Sequence, residues 1–332
     1  MTIRVAVDAM GSDRGPEEIV AGAVDAASEE IRPVLVGPRT LDPRGLELIE
    51  ARDVIEMDDK PTESVRAKAE SSLVVACRAV GDGRADAVVS PGNTGAMLAA
   101  SLLHIRRVKG VLRPAIAVVI PARRGPNVLI DAGANADARP EHLVQFAEMG
   151  AILSREVLGV SSPRVRLLSI GEESEKGNQL ALETHALLAD RDGFAGNTEG
   201  RDLLSGGGEV VVTDGFTGNV ALKLLEGTIK AILDGLRSEI TATPRGKLGG
   251  LLIRPAARRL RTRLDPDTYG GAYLLGLRGL AVIAHGNSSS RAIANAIRLA
   301  ARGVEHDVVG RLAQRLQDEV LESARPPTTT RE

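Results

Sequence analysis

Six short polar segments of the chain combine Gly, Asn, Asp, Ser and Thr in a way that suits the binding of a small anion. In the stretch VVSPGNTGAML, residues 88–98, a β-branched apolar run ends at a proline, two glycines, an amide and a hydroxyl, and an apolar helical pattern follows. Glycine lets the backbone approach a ligand, and the free N–H groups of a helix N-terminus attract negative charge. A single loop of this kind is most often a helix cap. The six segments are 8–13, 91–95, 131–135, 171–178, 214–219 and 285–290.

Charged side chains near these segments indicate which reactions or ligands the polar loops could support. Lys176 is either an anion contact or a surface lysine, and Lys223, two turns into a predicted helix, is more typical of a structural position. His285 precedes a Gly-Asn-Ser run and is either a general acid–base or oxyanion donor, or a structural residue. Three aspartates end predicted strands and would bind a divalent cation, orient donors or cap helices: Asp8, Asp131 and Asp214.

Common covalent and nucleotide-binding motifs are missing from the sequence. It contains neither a G-x-S-x-G nucleophile elbow, nor a G-x-G-x-x-G fingerprint, nor a Walker lysine. The single cysteine, Cys77, lies in an apolar helical pattern that predicts a buried structural thiol. A mechanism of positioning and oxyanion stabilisation therefore suits these residues better than covalent catalysis.

Short apolar runs alternate with helical patterns along most of the chain. The runs lack polar alternation, which is typical of strands covered on both faces. Together they predict a mostly parallel sheet covered by helices, and ligands bind such a sheet beyond the carboxyl ends of its strands, so at least three of the six segments are expected to share one cleft. Predicted strands are Ile3–Val7, Pro33–Gly37, Val54–Met57, Ala85–Ser90, Ala115–Ile120, Val128–Asp131, Val165–Ile170, Glu209–Thr213 and Leu280–Ala284; predicted helices are Pro16–Ser28, Ser64–Val80, Thr94–His104, Pro140–Leu158, Asn178–Ala189, Thr217–Ile240, Ser288–Arg302 and Asp307–Ala324.

Length and composition bound the class of protein. We interpret residues 1–324 of the 332-residue chain as one two-lobed α/β unit and residues 325–332 as a disordered tail. A net charge of −2 and the absence of Trp argue against a nucleic-acid partner. The N-terminus has a strand pattern rather than that of a signal peptide, and no apolar run approaches the roughly 20 residues that span a bilayer, so a cytoplasmic location is expected.

One segment, 245–268, departs from this composition. Its residues 245–263, which we call the basic run, carry seven basic side chains and no acidic one, and they also include a leucine-rich cluster. The segment is either a solvated helical hairpin or an amphipathic surface that docks on an acidic partner or an anionic membrane. The docking candidates are Leu251, Leu252, Ile253, Arg254, Arg258, Arg259 and Arg261.

The motifs, taken together and in order, resemble the bacterial phosphate acyltransferases of phospholipid synthesis. The resemblance covers residues 3 to about 300 and rests on VAVDAMGSD (5–13), VSPGNTGA (89–96), DAGAN (131–135) with PEHL (140–143), IGEESEKGN (170–178), VTDGFTGNVA (212–221), YGGAYLLG (269–276) and HGNS (285–288). Ser12 replaces a usual glycine and Pro91 a usual small residue, but both preserve a tight turn.

The resemblance implies acyl transfer from an acyl–acyl carrier protein to inorganic phosphate. It also implies a three-layer α/β/α fold similar to isocitrate and isopropylmalate dehydrogenases, a homodimer, peripheral membrane association, and no cofactor or metal. In that context we assign catalysis to His285, Lys176 and Asn219; phosphate binding to Gly92, Asn93, Thr94, Gly95, Thr217 and Gly218; and shaping of the site to Asp8, Gly11, Asp131, Asn135, Asp214 and Ser288.

Three other functions remain open at this point. A phosphate acetyltransferase would use acetyl-CoA or another acyl-CoA as donor, and an NAD-dependent dehydrogenase of the same fold would not need the G-x-G-x-x-G fingerprint. A non-enzymatic regulator that binds an anionic metabolite would also use polar strand ends.

Overall fold

A single sheet of eleven strands runs through the molecule, and helices cover both of its faces. The computed structural model describes residues 2–207, 209–265 and 268–323. The strand order in the sheet is β3-β2-β1-β4-β11-β10-β5-β6-β9-β7-β8. The strands are β1 (Ile3–Asp8), β2 (Ile31–Gly37), β3 (Glu47–Glu50), β4 (Ala87–Ser90), β5 (Ala115–Ile120), β6 (Asn127–Ile130), β7 (Arg164–Leu168), β8 (Phe194–Thr198), β9 (Glu209–Val212), β10 (Ala272–Leu275) and β11 (Leu280–Ile283).

Ten helices account for most of the remaining described chain. Cys77 is fully buried, as predicted, and burial raises the pKa of its thiol to about 12. The helices are α1 (Pro16–Ala26), α2 (Pro61–Ala67), α3 (Ser72–Gly81), α4 (Thr94–His104), α5 (Pro140–Glu156), α6 (Gln179–Leu188), α7 (Gly215–Thr241), α8 (Pro244–Leu264), α9 (Ser290–Glu305) and α10 (Val308–Ser323).

The two halves of the sheet point in opposite directions. Strands β1, β4 and β11 are mutually parallel, as are β6, β9 and β7. Between the halves, β10 is antiparallel to β11 and β5, and β5 is antiparallel to β6. The carboxyl ends of β1, β4 and β11 therefore lie at one edge, and those of β6, β9 and β7 at the other. The six polar segments consequently do not all meet at one edge, because strand direction depends on non-local connections.

The core consists of two apolar layers, one on each face of the sheet. One layer packs α1, α5, α9 and α10 against the sheet, and it includes Phe146 and Tyr273. The other layer contains α3, α4 and the start of α7, and it includes Met97 and Leu222. This arrangement confirms the predicted three-layer α/β/α fold with a mostly parallel sheet.

Several element boundaries differ from the predictions. The expected strand Val54–Met57 is not one; only Asp53 nearby makes an isolated bridge, to Ser71. The same pairing explains why the predicted helix Ser64–Val80 is two helices, since Ser72 N–H donates to the Asp53 carbonyl instead of continuing one helix. The strands β3, β8 and β10 were not predicted; the first two are edge strands, and all three are only four or five residues long.

The helices α7 and α8 form a hairpin, which we call the helical hairpin, and most of it lies outside the core. In α7 the buried residues are Gly215, Gly218 and Leu222, and α8 has no buried residue. Residues 245–265 of the predicted basic amphipathic segment are therefore mostly exposed helix, whereas residues 266–267 and the predicted tail 325–332 lie outside the described residues. Among the described helices, none has both the length and the apolar character to cross a membrane.

Candidate active site

A cavity of about 550 Å³ lies on the face of the sheet that α4 and α7 cover. Register places β5 across its floor, because Ser90 is level with Ile283, Ile283 with Ala272, and Ala272 with Val118. The cavity therefore extends from the loop after β4 to the loop after β6, which come from opposite edges of the sheet. Four of the six polar segments line it, through residues 92–95, 132–134, 219, and 285, 286 and 288.

The N-terminus of α4 faces one end of the cavity. Asn93 caps this helix: its Oδ1 accepts from Ala96 N at 3.0 Å, and its Nδ2 donates to the carbonyls of Met57 at 2.9 Å and Asp59 at 3.2 Å. The Asn93 amide thus connects the loop after β4 to the segment at residues 57–59. The first-turn N–H groups of Thr94 and Gly95 have no partner within the helix, so they form the group that we call the anion nest.

A buried carboxylate supports this nest from below. Asp8, only 1% exposed, accepts from the Ser90 hydroxyl at 2.7 Å, and Ser90 Oγ accepts from Gly92 N at 3.0 Å. Burial raises the pKa of Asp8, while its hydrogen bonds to Ser72 and Ser90 act in the opposite direction. A Cβ on Gly11 would lie 2.8 Å from Gly92 Cα, so this close approach requires a residue without a side chain. Asp8 and Gly11 therefore shape the loop from behind it.

The loop after β6 is organised by a second buried aspartate. One Asp131 oxygen accepts from the N–H groups of Ile116, Gly133 and Ala134, and the other accepts from the backbone and side-chain nitrogens of Asn135. Burial raises the pKa of Asp131, and these hydrogen bonds oppose that shift. Asp131 and Asn135 consequently hold the turn that lines the far end of the cavity.

The start of α7 packs against the Asp131 turn. A Cβ on Gly218 would lie 1.9 Å from the Asp131 carbonyl oxygen, so only glycine allows this approach. Gly218 is buried, whereas Asn219 next to it lines the cavity and is exposed. The structure therefore places Asn219, but not Gly218, in contact with the cavity.

Three charged or titratable side chains meet inside the cavity. Glu226 Oε2 lies 2.9 Å from Lys223 Nζ, and Glu226 Oε1 lies 3.5 Å from His285 Nε2. Sequence reasoning favoured a structural position for Lys223 and did not identify Glu226. The signal that could have found both is helical spacing, because Asn219, Lys223 and Glu226 recur on one face of α7. Ser288 closes this corner of the cavity; it is 2% exposed, and its N–H donates to the His285 carbonyl.

Three of the expected contributors lie elsewhere. Thr217 and Asp214 line a separate depression beside the carboxyl ends of β7 and β9. There the Thr217 hydroxyl donates to Asp214 at 2.7 Å, and Asp214 caps α7. Lys176 is exposed on the loop after β7 and does not line the cavity. Among the described residues that line the cavity, the lysine is Lys223.

The rest of the cavity lining is mainly apolar. It follows β5 and continues between α4 and α7, so the space beside the anion nest suits a hydrocarbon chain. Among the described residues, no group of three or more His, Cys, Asp or Glu side chains is arranged to hold a metal ion. The apolar lining includes Leu98, Ile116, Val118, Ile120, Leu222, Leu225, Ile229 and Ile283.

Comparison with solved structures defines the class of fold. A phosphotransacetylase from Streptococcus pyogenes matches with a TM-score of 0.61 at 15% identity, over 92% of this chain and 94% of that chain. A branched-chain phosphotransacylase from Enterococcus faecalis matches with a TM-score of 0.60 at 17% identity, over 92% of this chain and 100% of that chain. A putative 4-hydroxythreonine-4-phosphate dehydrogenase from Salmonella typhimurium matches with a TM-score of 0.50 at 12% identity, over 91% and 99%. The fold is thus shared with phosphotransacylases and with a protein described as a putative 4-hydroxythreonine-4-phosphate dehydrogenase.

Comparison of sequences identifies the family, which comparison of folds does not. The family described as fatty acid synthesis protein matches residues 3–311. Proteins named phosphate acyltransferase are 44% identical in Heliobacterium modesticaldum, over 96% of this chain and 99% of the relative, and 46% identical in Thermobifida fusca, over 98% and 93%. The chain belongs to this phosphate acyltransferase family, and it is an acyltransferase enzyme.

Proposed function

We propose that the protein transfers a fatty acyl group from acyl–acyl carrier protein to inorganic phosphate, and that the acyl phosphate formed supplies phospholipid synthesis through phosphatidic acid. One observation carries this proposal: a single cavity combines an anion nest at the α4 N-terminus with an apolar space along β5. Phosphate needs only a few N–H donors and a cation, whereas a fatty acyl chain needs apolar walls.

The proposed reaction needs no nucleophile from the protein. Phosphate binds at the N–H groups of Thr94 and Gly95, within the field of Lys223, and one of its oxygens attacks the thioester carbonyl carbon. The new C–O bond forms, the C–S bond breaks, and the sulfur leaves with the electron pair. Protonated His285 donates a proton to that thiolate, and the Asn219 amide donates to the oxyanion of the tetrahedral intermediate.

The acyl chain is proposed to lie along β5. In α4, Leu98 lines the cavity, and in α7, Leu225 and Ile229 line it. The apolar residues Leu248 and Ile253 of α8 do not line it and are 66% and 47% exposed. The chain would thus be held between α4 and α7.

We also propose that the helical hairpin docks on the partners of the reaction. Leu251 and Leu252 are 63% and 79% exposed, which is uncommon for side chains without a partner. Arg254, Arg258 and Arg261 recur at helical spacing on one side of α8 and would meet an acidic carrier protein or anionic lipid. The exposed apolar side of the hairpin also suits a second copy of the chain, as in a homodimer. The enzyme would then be cytoplasmic and peripherally bound to the membrane.

A comparison of donors tests the proposed function. With saturating phosphate, we expect kcat/KM to be highest with a long-chain acyl–acyl carrier protein, lower with the matching acyl-CoA, and lowest with acetyl-CoA, because only the long chain fills the apolar space. Acyl phosphate would be trapped as the hydroxamate and quantified by mass spectrometry. A preference for acetyl-CoA would contradict the proposal and favour a phosphate acetyltransferase.

A further inference from the structure

Glu226 occupies an unusual position for a mid-helix glutamate. It lines the cavity, its side chain is only 23% exposed, and its two carboxylate oxygens face two different partners. Lys223, on the same helix, is 56% exposed, and His285, which follows β11, is 44% exposed. The carboxylate thus links α7 to the loop after β11 at the point where the two meet in the cavity.

We propose that Glu226 is a positioning residue that holds the His285 imidazole in place for acyl transfer and partly neutralises the Lys223 ammonium until phosphate binds. Glu226 Oε1 lies 3.5 Å from His285 Nε2, close enough to attract an N–H group on that nitrogen and to orient the ring. Nδ1 is then the nitrogen left to exchange a proton with the reacting sulfur. A carboxylate that fixes the orientation and tautomer of a histidine is a recurrent device of acid–base catalysis.

The second oxygen of Glu226 acts on the lysine. Glu226 Oε2 lies 2.9 Å from Lys223 Nζ, so the ammonium pairs with the carboxylate at the edge of the cavity while more than half of the lysine side chain stays exposed. The pairing also neutralises part of the lysine charge before phosphate binds. Removal of the carboxylate would therefore misplace the histidine but leave a cation that attracts phosphate at least as strongly.

Other charged groups near this corner are few. Among the described lining residues, the titratable side chains besides these three are limited to Tyr269. Asp13 approaches from the loop after β1, since a Cβ on Gly286 would lie 2.6 Å from its Oδ2. Glu226, however, forms an ion pair with Lys223 and also lies within 3.5 Å of His285 Nε2.

The inference, which rests on the proposed function, is tested with Glu226→Gln and Glu226→Ala. We expect kcat to fall about 10-fold in the first and about 100-fold in the second, because a general acid contributes roughly 10²- to 10⁴-fold. The KM for phosphate should stay unchanged or fall, since Lys223 remains. The matched control is Glu305→Gln, which removes the same charge from an exposed position of α9, outside the hairpin. A rise in KM for phosphate as large as the loss of kcat would overturn the inference, because it would indicate a general distortion of the site.

A second measurement needs no turnover. The chain has five histidines, so ¹⁵N spectra of the imidazole nitrogens can be assigned to His285 by comparison with His285→Gln. We expect the Nε2 and Nδ1 signals of His285 to change at constant pH in Glu226→Gln but not in Glu305→Gln. Unchanged signals would refute the positioning role even if the enzyme transfers acyl groups. Changed signals in a protein that forms no acyl phosphate would uphold the positioning role and refute the proposed function.

Discussion

The side chain of Asn93 supports the anion nest without offering an N–H group to the ligand. All of its described polar contacts are within the protein, to Ala96, Met57 and Asp59. The donors that remain for phosphate are backbone groups of Thr94 and Gly95, which carry no titratable proton. A loop without a Walker lysine would thus bind phosphate, with Lys223 supplying the charge from another element.

Replacing Asn93 distinguishes its role as the cap of α4 from its two tethers, the hydrogen bonds to the carbonyls of Met57 and Asp59. Asn93→Ala loses the cap of α4 and both tethers, so we expect a stability loss of about 1 kcal/mol and a higher KM for phosphate. Asn93→Ser keeps a capping oxygen but not the tethers; it should recover most of the stability and little of the KM. Chemical denaturation and steady-state kinetics measure the two effects. An unchanged KM in both variants would remove this loop from the phosphate site.

Lys223 is the second residue whose role can be isolated. Lys223→Gln should raise the KM for phosphate about tenfold, because hydrogen bonds to charged groups contribute about 1.5–3 kcal/mol. The KM of this variant should also depend less on ionic strength than that of the wild type, since one cation of the site is gone. The control Lys230→Gln removes an exposed lysine of the same helix and should leave KM unchanged. Equal KM values in the two variants would contradict the assignment.

At the scale of elements, much of the secondary structure could be predicted from the sequence. The bounds of α4 and β5 agree residue by residue, because a capping Asn opens the helix and β5 is a fully apolar run. The strands β3 and β8 could not be recognised, since they are short edge strands with polar residues. The reversal of strand direction at β10 and β5 depends on non-local pairing, and no pattern within either strand indicates it.

The candidate site, like the secondary structure, could be predicted only in part from the sequence. Composition identified the loops that line the cavity, because Gly, Asn and Thr recur at the ends of strands more often than helix capping alone would require. Composition did not show that the loop of His285 lines the cavity while the loop of Lys176 does not, since this difference depends on strand direction. Nor did it identify Glu226, because a glutamate in mid-helix is usually solvated, and its role becomes visible only beside His285.

At the scale of elements, docking through the helical hairpin can be tested by reversing its charge. The triple charge reversal Arg258→Glu, Arg259→Glu and Arg261→Glu should weaken binding to acyl carrier protein or to vesicles with anionic lipid, and the loss should be greatest at low salt. Vesicle sedimentation and titration with the carrier protein would measure the two kinds of binding. A matched control reverses three exposed arginines of other elements: Arg14, Arg44 and Arg311. Undiminished binding of both kinds in the hairpin variant would refute docking through the basic run.

The whole molecule is electrically polarised. The net charge is −2, and the basic run contributes +7, so the rest of the chain carries −2 − 7 = −9. This separation would orient the hairpin toward an anionic surface while the remaining surface is repelled. The cavity lies where the base of the hairpin meets the sheet, since α7 provides both the cavity residues Lys223 and Glu226 and the first helix of the hairpin. Docking and catalysis would therefore take place on one continuous element.

The most direct test of the central claim is detection of the product. Purified protein would be incubated with palmitoyl–acyl carrier protein and ¹⁸O-labelled phosphate, without added metal, and the products analysed by mass spectrometry. The account predicts equal amounts of free carrier protein and an acyl phosphate whose phosphoryl group retains the label. Hydrolysis to free fatty acid without acyl phosphate, or no reaction of the carrier-protein thioester, would contradict it.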